Sequence, residues 1–179
     1  MSLAVIRLSS LLEKKDERSV SAFLCTFKCS KDKDLEEFLH NKAIEFEKRS
    51  RSRTYLVIDT EENNRIIAYV SLAITQIIIP NNSELSNTVI KRMDASKGSA
   101  IAYLIGQLAK DDCVKEKFGH TLMQLSLDLL RVSNLQVGCR TICIDCKEKL
   151  IKFYKEEGFM MINPEPDKEN GLYRMVMLF

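Results

Sequence analysis

A tyrosine stands four residues before a glycine near the end of the chain, in the stretch 152–159 (KFYKEEGF). Tyr154 would lie in a short helix that Gly158 ends, because glycine is the usual residue just past a helix C-terminus. A phenol has a pKa of about 10 and stays protonated at neutral pH, so Tyr154 could donate a proton. It could equally be a packing tyrosine, and the rest of the chain has to separate these two interpretations.

A second candidate is the segment 114–121 (VKEKFGHT), which is basic and contains Gly119. It opens the strongest helix pattern of the chain, residues 116–133. The N–H groups in the first turn of a helix lack intrahelical acceptors and lie at the positive end of the helix dipole, so they can bind phosphate. The pattern predicts a phosphate-binding loop, in which Lys115 and Lys117 add positive charge and Glu116 opposes them.

The cysteines allow a metal or redox interpretation, which the sequence does not favour. Two of the six form a CxxC, Cys143 to Cys146, within a strand-like run. Alternation along a strand would point the two thiols to opposite faces. A zinc site needs more ligands, and the two histidines, His40 and His120, are remote in sequence. We therefore expect free thiols in a reducing compartment and no metal.

Composition sets the broad class of the protein. A chain of 179 residues with 45% hydrophobic and 29% charged residues predicts one globular domain, 1–179. The net charge of +2 does not by itself call for nucleic acid. No apolar run approaches the roughly 20 residues that span a bilayer, and no signal-peptide pattern opens the chain. We therefore expect a cytoplasmic protein with no membrane partner.

Hydrophobic periodicity predicts the elements that position these groups. The expected strands are 4–8, 54–58, 66–79, 100–109, 141–145, 159–162 and 172–178, and the expected helices are 34–48, 83–95, 116–133 and 147–157. Asp34 is predicted to cap its helix, and strand 100–109 to be buried on both faces; residues 18–33 stay ambiguous. Two strands joined through a helix form a parallel pair, so the class is α/β with a mixed sheet.

In this order of elements and motifs the chain resembles the GNAT superfamily of N-acetyltransferases. The matching segments are the strand 105–109 (IGQLA), the helix start 118–123 (FGHTLM) and the ending 153–159 (FYKEEGF). The first half is similar to a subgroup that includes the acetyltransferase toxins of toxin–antitoxin pairs. The chain departs from the family's loop pattern, (Gln/Arg)-x-x-Gly-x-(Gly/Ala). Val114 stands where Gln or Arg is usual, Lys117 replaces the first glycine, and the loop is one residue shorter than is common.

The resemblance implies a fold, a cofactor and a set of site residues. The fold would be a mostly antiparallel mixed sheet, flanked by helices, with a splayed central parallel strand pair that receives acetyl-CoA. Main-chain N–H groups near Leu108 would bond the thioester oxygen, loop 115–121 would hold the pyrophosphate, and Tyr154 would protonate the leaving thiolate. The cofactor-binding residues implied are Leu108, Ala109, Lys110, Lys115, Lys117, Phe118, Gly119, His120, Thr121, Asp145 and Phe153.

The acceptor stays open at this point. The resemblance implies acetyl transfer to a primary amine by direct attack in a ternary complex. The amine could belong to a small molecule, a protein N-terminus or lysine, or an aminoacyl-tRNA, and a homodimer is an expectation from the family. One alternative is a GNAT-fold binding protein that has lost catalysis, motivated by Val114 and Lys117. Another is an RNA-binding module that uses the basic connector 48–53 (KRSRSR).

Overall fold

The computed structural model describes residues 2–95 and 97–179. The strands are β1 Leu3–Arg7, β2 Arg53–Asp59, β3 Arg65–Ile78, β4 Ser99–Lys110, β5 Thr141–Cys146, β6 Met160–Met161 and β7 Tyr173–Leu178. The helices are α1 Leu8–Lys14, α2 Glu17–Leu24, α3 Lys33–Asn41, α4 Ala43–Lys48, α5 Asn87–Arg92, α6 Gly119–Gln136 and α7 Ile151–Glu156, the last preceded by a 3₁₀ turn, Glu148–Leu150.

The strands form one mixed sheet in the order β1-β2-β3-β4-β5-β7-β6. The pairs β1–β2, β2–β3, β5–β7 and β6–β7 are antiparallel, whereas β4 and β5 are parallel. A parallel pair needs a long crossover, which α6 supplies between the two strands. The predicted fold class, a mostly antiparallel mixed sheet with a central parallel pair and flanking helices, is confirmed.

Strands β4 and β5 are paired over only part of their lengths. The registered pairs run from Ala102 opposite Thr141 to Ile105 opposite Ile144. Strand β4 continues beyond this stretch to Lys110, and β5 continues to Cys146, where it stays paired with β7. The parallel pairing therefore ends at Ile105 and Ile144, before either strand does.

The residues group into two compact units, of which the first comprises the chain up to Ala73 together with Gln107–Ser126. The main core of this unit surrounds Tyr69, which is fully buried. The Tyr69 ring lies edge-on to that of Phe27, with ring centroids 5.2 Å apart. The Tyr69 hydroxyl donates to the carbonyl of Leu35 at 2.6 Å. A buried phenol with a hydrogen-bond partner stabilises the core without leaving a polar atom unsatisfied.

The second unit comprises Ile74–Gly106 and Leu127–Phe179. Its core contains Ile77, Ala102, Cys143 and Val176, each with no exposed surface. The first four residues of β5 are buried, as are its two cysteines, because a central strand is covered on both faces. Cys143 and Cys146 are free thiols.

Four local predictions differ from the structure. The predicted helix 34–48 is two helices, α3 and α4, because the chain turns at Lys42 and thereby brings the rings of Phe38 and Phe46 to 5.4 Å. Asp34 does not cap; it lies in the first turn of a helix that begins at Lys33. Residues 83–95 form only the short α5, and α1 and α2 were not predicted. Strand 100–109 is not buried on both faces, since Ile101 is 57% exposed.

None of the helices in the described parts of the chain has the length and apolar character needed to cross a membrane.

Candidate active site

Tyr154 lies in the last turn of α7, whose end fixes its position. The N–H of Phe159 donates to the carbonyl of Tyr154 at 2.9 Å, and the N–H of Gly158 donates to that of Lys155 at 3.1 Å. These two bonds are the Schellman motif, in which the residue after the C-cap adopts a positive φ. Gly158 has φ +96°, a conformation that side-chain-bearing residues rarely adopt. Gly158 therefore ends α7, as the sequence predicted.

The Tyr154 ring is held between two phenylalanines. Its centroid lies 5.0 Å from that of Phe153 and 5.9 Å from that of Phe159, both in edge-on geometry. Only 5% of Tyr154 is exposed. Burial raises the pKa of Tyr154 well above its ordinary value, and the charge that Cys146 would carry raises it further. The phenol is therefore neutral across the physiological pH range.

A second group of predicted residues lies between β4 and α6, in residues 111–118, the β4–α6 loop. Two of its side chains, Val114 and Phe118, are buried in a cluster with Ile67 and Leu122. The segment between them, Lys115 to Lys117, is exposed. The loop is thus fixed to the core at both ends of a solvent-facing basic segment. Val114, which stands where the family has Gln or Arg, packs into the core.

The lysines of this loop contact the main chain. Lys110 Nζ donates to the carbonyls of both Val114 and Glu116, the second at 3.0 Å. Lys115 Nζ donates to the carbonyl of Asp112 at 3.0 Å. Leu122 N–H donates to the carbonyl of Phe118, so α6 begins directly after the exposed segment. Gly119, His120 and Thr121 therefore occupy the first turn of an 18-residue helix, where N–H groups lack intrahelical acceptors.

Sequence reasoning missed Asp111, which has no exposed surface. Its carboxylate accepts from the N–H of Cys113 at 2.8 Å, from the N–H of Lys28 at 2.7 Å and from Arg65 Nη2 at 3.3 Å. The neighbouring Asp112 accepts from the N–H of Ser30 at 2.9 Å. These bonds join the β4–α6 loop to the segment 28–30. A pair of aspartates directly after a strand was the available signal.

The other predicted residues fall on β4, β5 and α7. Leu108 and Ala109 lie on the part of β4 beyond its pairing with β5. Asp145 lies at the end of β5, where Arg174 of β7 binds it through two bonds of 2.7 Å. This hydrogen bonding raises the pKa of the Arg174 guanidinium, so Arg174 stays protonated. Asp145 thus has a strong partner of its own.

The basic connector 48–53 has its charge matched locally. Lys48 pairs with Glu17 at 2.8 Å, and Arg49 pairs with Glu45 at 3.1 Å. Arg53 pairs with the buried Glu47 at 3.1 Å. The Arg51 guanidinium lies 4.3 Å from the centre of the Phe46 ring. Each of the four cations of the connector thus has a contact within the protein.

Among the described residues, no group of three or more His, Cys, Asp or Glu side chains could hold a metal ion. Mainly through burial, the pKa of Cys143 is raised to about 12 and that of Cys146 to about 11. Both are therefore neutral thiols at pH 7.

None of the protein-family models matches the chain. Several solved structures do match it. A tyrosine-to-phenylalanine mutant of KacT has a TM-score of 0.74 at 18% identity, over 97% of this chain and 94% of that one. AtaT complexed with acetyl-methionyl-tRNAfMet has a TM-score of 0.71 at 18% identity, over 99% and 94%. A tyrosine-to-phenylalanine mutant of the toxin AtaT is bound to acetyl-CoA and the C-terminus of the antitoxin AtaR. It has a TM-score of 0.69 at 17% identity, over 99% of this chain and 94% of that one.

These neighbours are GNAT-fold acetyltransferase toxins, the subgroup to which the sequence motifs pointed. At 17–18% identity the similarity establishes the fold, and it extends over nearly the whole length of both chains. The chain therefore has the GNAT fold that these structures share.

Proposed function

We propose that this chain is an acetyl-CoA-dependent N-acetyltransferase whose acceptor is the α-amine of an aminoacyl-tRNA. The observation that supports this proposal most is Tyr154. Its buried phenol lies in the last turn of α7, which ends in the Schellman motif formed with Gly158 and Phe159. The neighbours of the same fold include two structures with acetyl-CoA and one with acetyl-methionyl-tRNA. They favour this acceptor over a small molecule or a protein lysine.

The cofactor would bind at the end of β4 and the start of α6. The main chain at Leu108 and Ala109 would bond the thioester oxygen, which gains negative charge when the amine attacks. The first turn of α6, at Gly119 to Thr121, would receive the pyrophosphate, because a helix start offers N–H donors and positive potential. The exposed Lys117 would add a positive charge there.

The reaction balances as a direct transfer. The neutral amine attacks the thioester carbonyl carbon, a C–N bond forms, and the C–S bond of acetyl-CoA breaks. The amine nitrogen loses one proton, and the CoA sulfur gains one. No covalent intermediate on the protein is needed, and the products are an amide and free CoA.

Tyr154 would act on the departing sulfur. A thiolate has an ordinary pKa of about 8.5, below that of a phenol at about 10, so complete transfer from Tyr154 alone is uphill. Burial raises the pKa of Tyr154 further and strengthens this conclusion. Tyr154 would therefore stabilise the thiolate by a short hydrogen bond, and it would pass on a proton only as another reaches it.

The protonation state of the acceptor also favours an α-amine. With a pKa of about 7.8, an α-amine is neutral in roughly one molecule in seven at pH 7. A lysine with a pKa of about 10.4 is neutral in only about one in 2,500. An α-amine can therefore be acetylated without a strong general base, whereas a lysine requires one.

The test is transfer of labelled acetyl from acetyl-CoA to purified aminoacyl-tRNA, beside deacylated tRNA, free amino acid and a lysine-containing peptide. We expect label on aminoacyl-tRNA alone, in an amide that survives mild alkaline deacylation of the tRNA. Tyr154→Phe should lower kcat by about 10²-fold or more while leaving the affinity for acetyl-CoA nearly unchanged.

The matched control is Tyr55→Phe, which changes a tyrosine of similar burial, 7% exposed, on β2. It should leave kcat unchanged. Label on the peptide or the free amino acid, with none on tRNA, would keep the acetyltransferase and refute the acceptor. Absence of acetyl-CoA binding would refute the enzyme and favour a GNAT-fold protein that has lost catalysis.

A further inference from the structure

The ammonium of Lys110 contacts the main chain of the protein and is not simply exposed to solvent. Lys110 ends β4, and its side chain turns toward the loop that follows. The ammonium bonds two main-chain carbonyls, those of Val114 and Glu116, on either side of Lys115. A lysine ammonium has three donors, and two of them are directed at one short segment of chain.

These two bonds act on the part of the loop that the core does not hold. Val114 and Phe118 are buried, whereas residues 115–117 between them are exposed. The contact with the Glu116 carbonyl falls in the middle of this segment. Lys110 therefore restrains the exposed residues, which the core contacts at their two ends only.

The same bonds change the electrostatics of the loop. A carbonyl oxygen carries partial negative charge, and one that faced a phosphate would repel it. The oxygens of Val114 and Glu116 instead accept from a cation, which offsets their negative potential. The family pattern places a glycine at the position of Lys117, where backbone meets phosphate most easily. In this chain a lysine outside that pattern orders the loop.

We propose that Lys110 is the positioning residue of the pyrophosphate subsite, ordering the β4–α6 loop by binding the carbonyls of Val114 and Glu116. This inference rests on the proposed function, since it assigns a role in binding the diphosphate of acetyl-CoA. Lys110 acts through the loop backbone. Its effect should consequently be confined to donors that have a diphosphate.

The experiment compares two acetyl donors, acetyl-CoA and acetyl-pantetheine, which has the same thioester but no diphosphate or nucleotide. The value of kcat/KM is measured with each donor for the wild type, Lys110→Met and Lys110→Arg. We expect Lys110→Met to lower kcat/KM for acetyl-CoA by about tenfold or more through KM. It should change kcat/KM for acetyl-pantetheine by less than about twofold.

Lys110→Arg keeps the charge and the donors and should recover part of the loss. Lys168→Met removes an exposed lysine of the 163–171 segment and should match the wild type. Equal losses with both donors, or no loss with acetyl-CoA, would overturn the role of Lys110. A wild type that does not bind acetyl-CoA in calorimetry would overturn the proposed function and this role together, which distinguishes the two failures.

Discussion

Replacing Asp111 by alanine tests whether one buried carboxylate stabilises both the β4–α6 loop and the segment 28–30. Asp111→Ala removes the acceptor of the Cys113 and Lys28 N–H groups, at 2.8 and 2.7 Å. It also removes the partner of Arg65, whose side chain is 44% exposed. A hydrogen bond to a charged group contributes about 1.5–3 kcal/mol, whereas a half-exposed ion pair contributes less than about 1 kcal/mol.

Two such bonds sum to about 3–6 kcal/mol, and removing one partner of a buried ionic group typically costs about 3–5 kcal/mol. We therefore expect Asp111→Ala to cost about 3–5 kcal/mol of unfolding free energy. With a urea m-value of about 2 kcal/mol/M, the midpoint should fall by about 1.5–2.5 M. The assay is urea unfolding of the apo protein, followed by circular dichroism and by fluorescence of the tyrosines. Coincident transitions from both probes would justify the two-state analysis.

The neighbouring Asp112→Ala is the matched control. Asp112 binds the same segment, through the N–H of Ser30, but its carboxylate lies at the surface, where water can replace it. It should cost much less than Asp111→Ala. Equal losses for the two variants, or a loss below about 1 kcal/mol for Asp111→Ala, would refute the argument that burial makes the Asp111 bonds strong.

Three further predictions concern stability. Gly158→Ala should cost about 1–3 kcal/mol because φ is +96°, whereas Gly138→Ala, at an open position without positive φ, should cost far less in the same thermal melt. Glu47→Gln should cost about 1–3 kcal/mol, because the side chain is 3% exposed and accepts from Thr54 N–H at 2.8 Å; urea unfolding measures this. Burial raises the pKa of Cys143 from 9.0 to about 12, so the unfolded thiol ionises first. Its contribution to stability is complete below pH 9 and is lost toward pH 12, by at most about 1.4 kcal/mol per pH unit, and Cys143→Ala should flatten this decline in pH-dependent unfolding.

The fold could be predicted largely because its central strands and longest helix have strong patterns. The apolar run of β4 and the stripe along α6 lie within a few residues of their predicted bounds. The prediction failed where tertiary packing decides. The pattern over 34–48 is continuous in sequence, yet the chain turns at Lys42, which lets two phenylalanine rings meet. Nothing in the local pattern records that contact.

The local structure around the candidate site was predictable in part, for a different reason. Tyr154 and Gly158 follow from local rules, since a glycine past a helix ends it and fixes the tyrosine one turn earlier. Asp111 was missed because its partners, Lys28 and Arg65, are distant in sequence. The bonds of Lys110 to the Val114 and Glu116 carbonyls were also hidden, because periodicity says nothing about which carbonyls a flexible ammonium binds.

The bonds between the β4–α6 loop and the segment 28–30 also bear on the order of folding. The bond from Lys28 N–H to Asp111 spans 83 residues, and the bond from Ser30 N–H to Asp112 spans 82. Closing so large a loop is entropically costly and is favoured only once the intervening strands have formed. We therefore expect the loop to reach its native conformation late. A chain still emerging from the ribosome would have its first strands in place before this loop reached its native conformation.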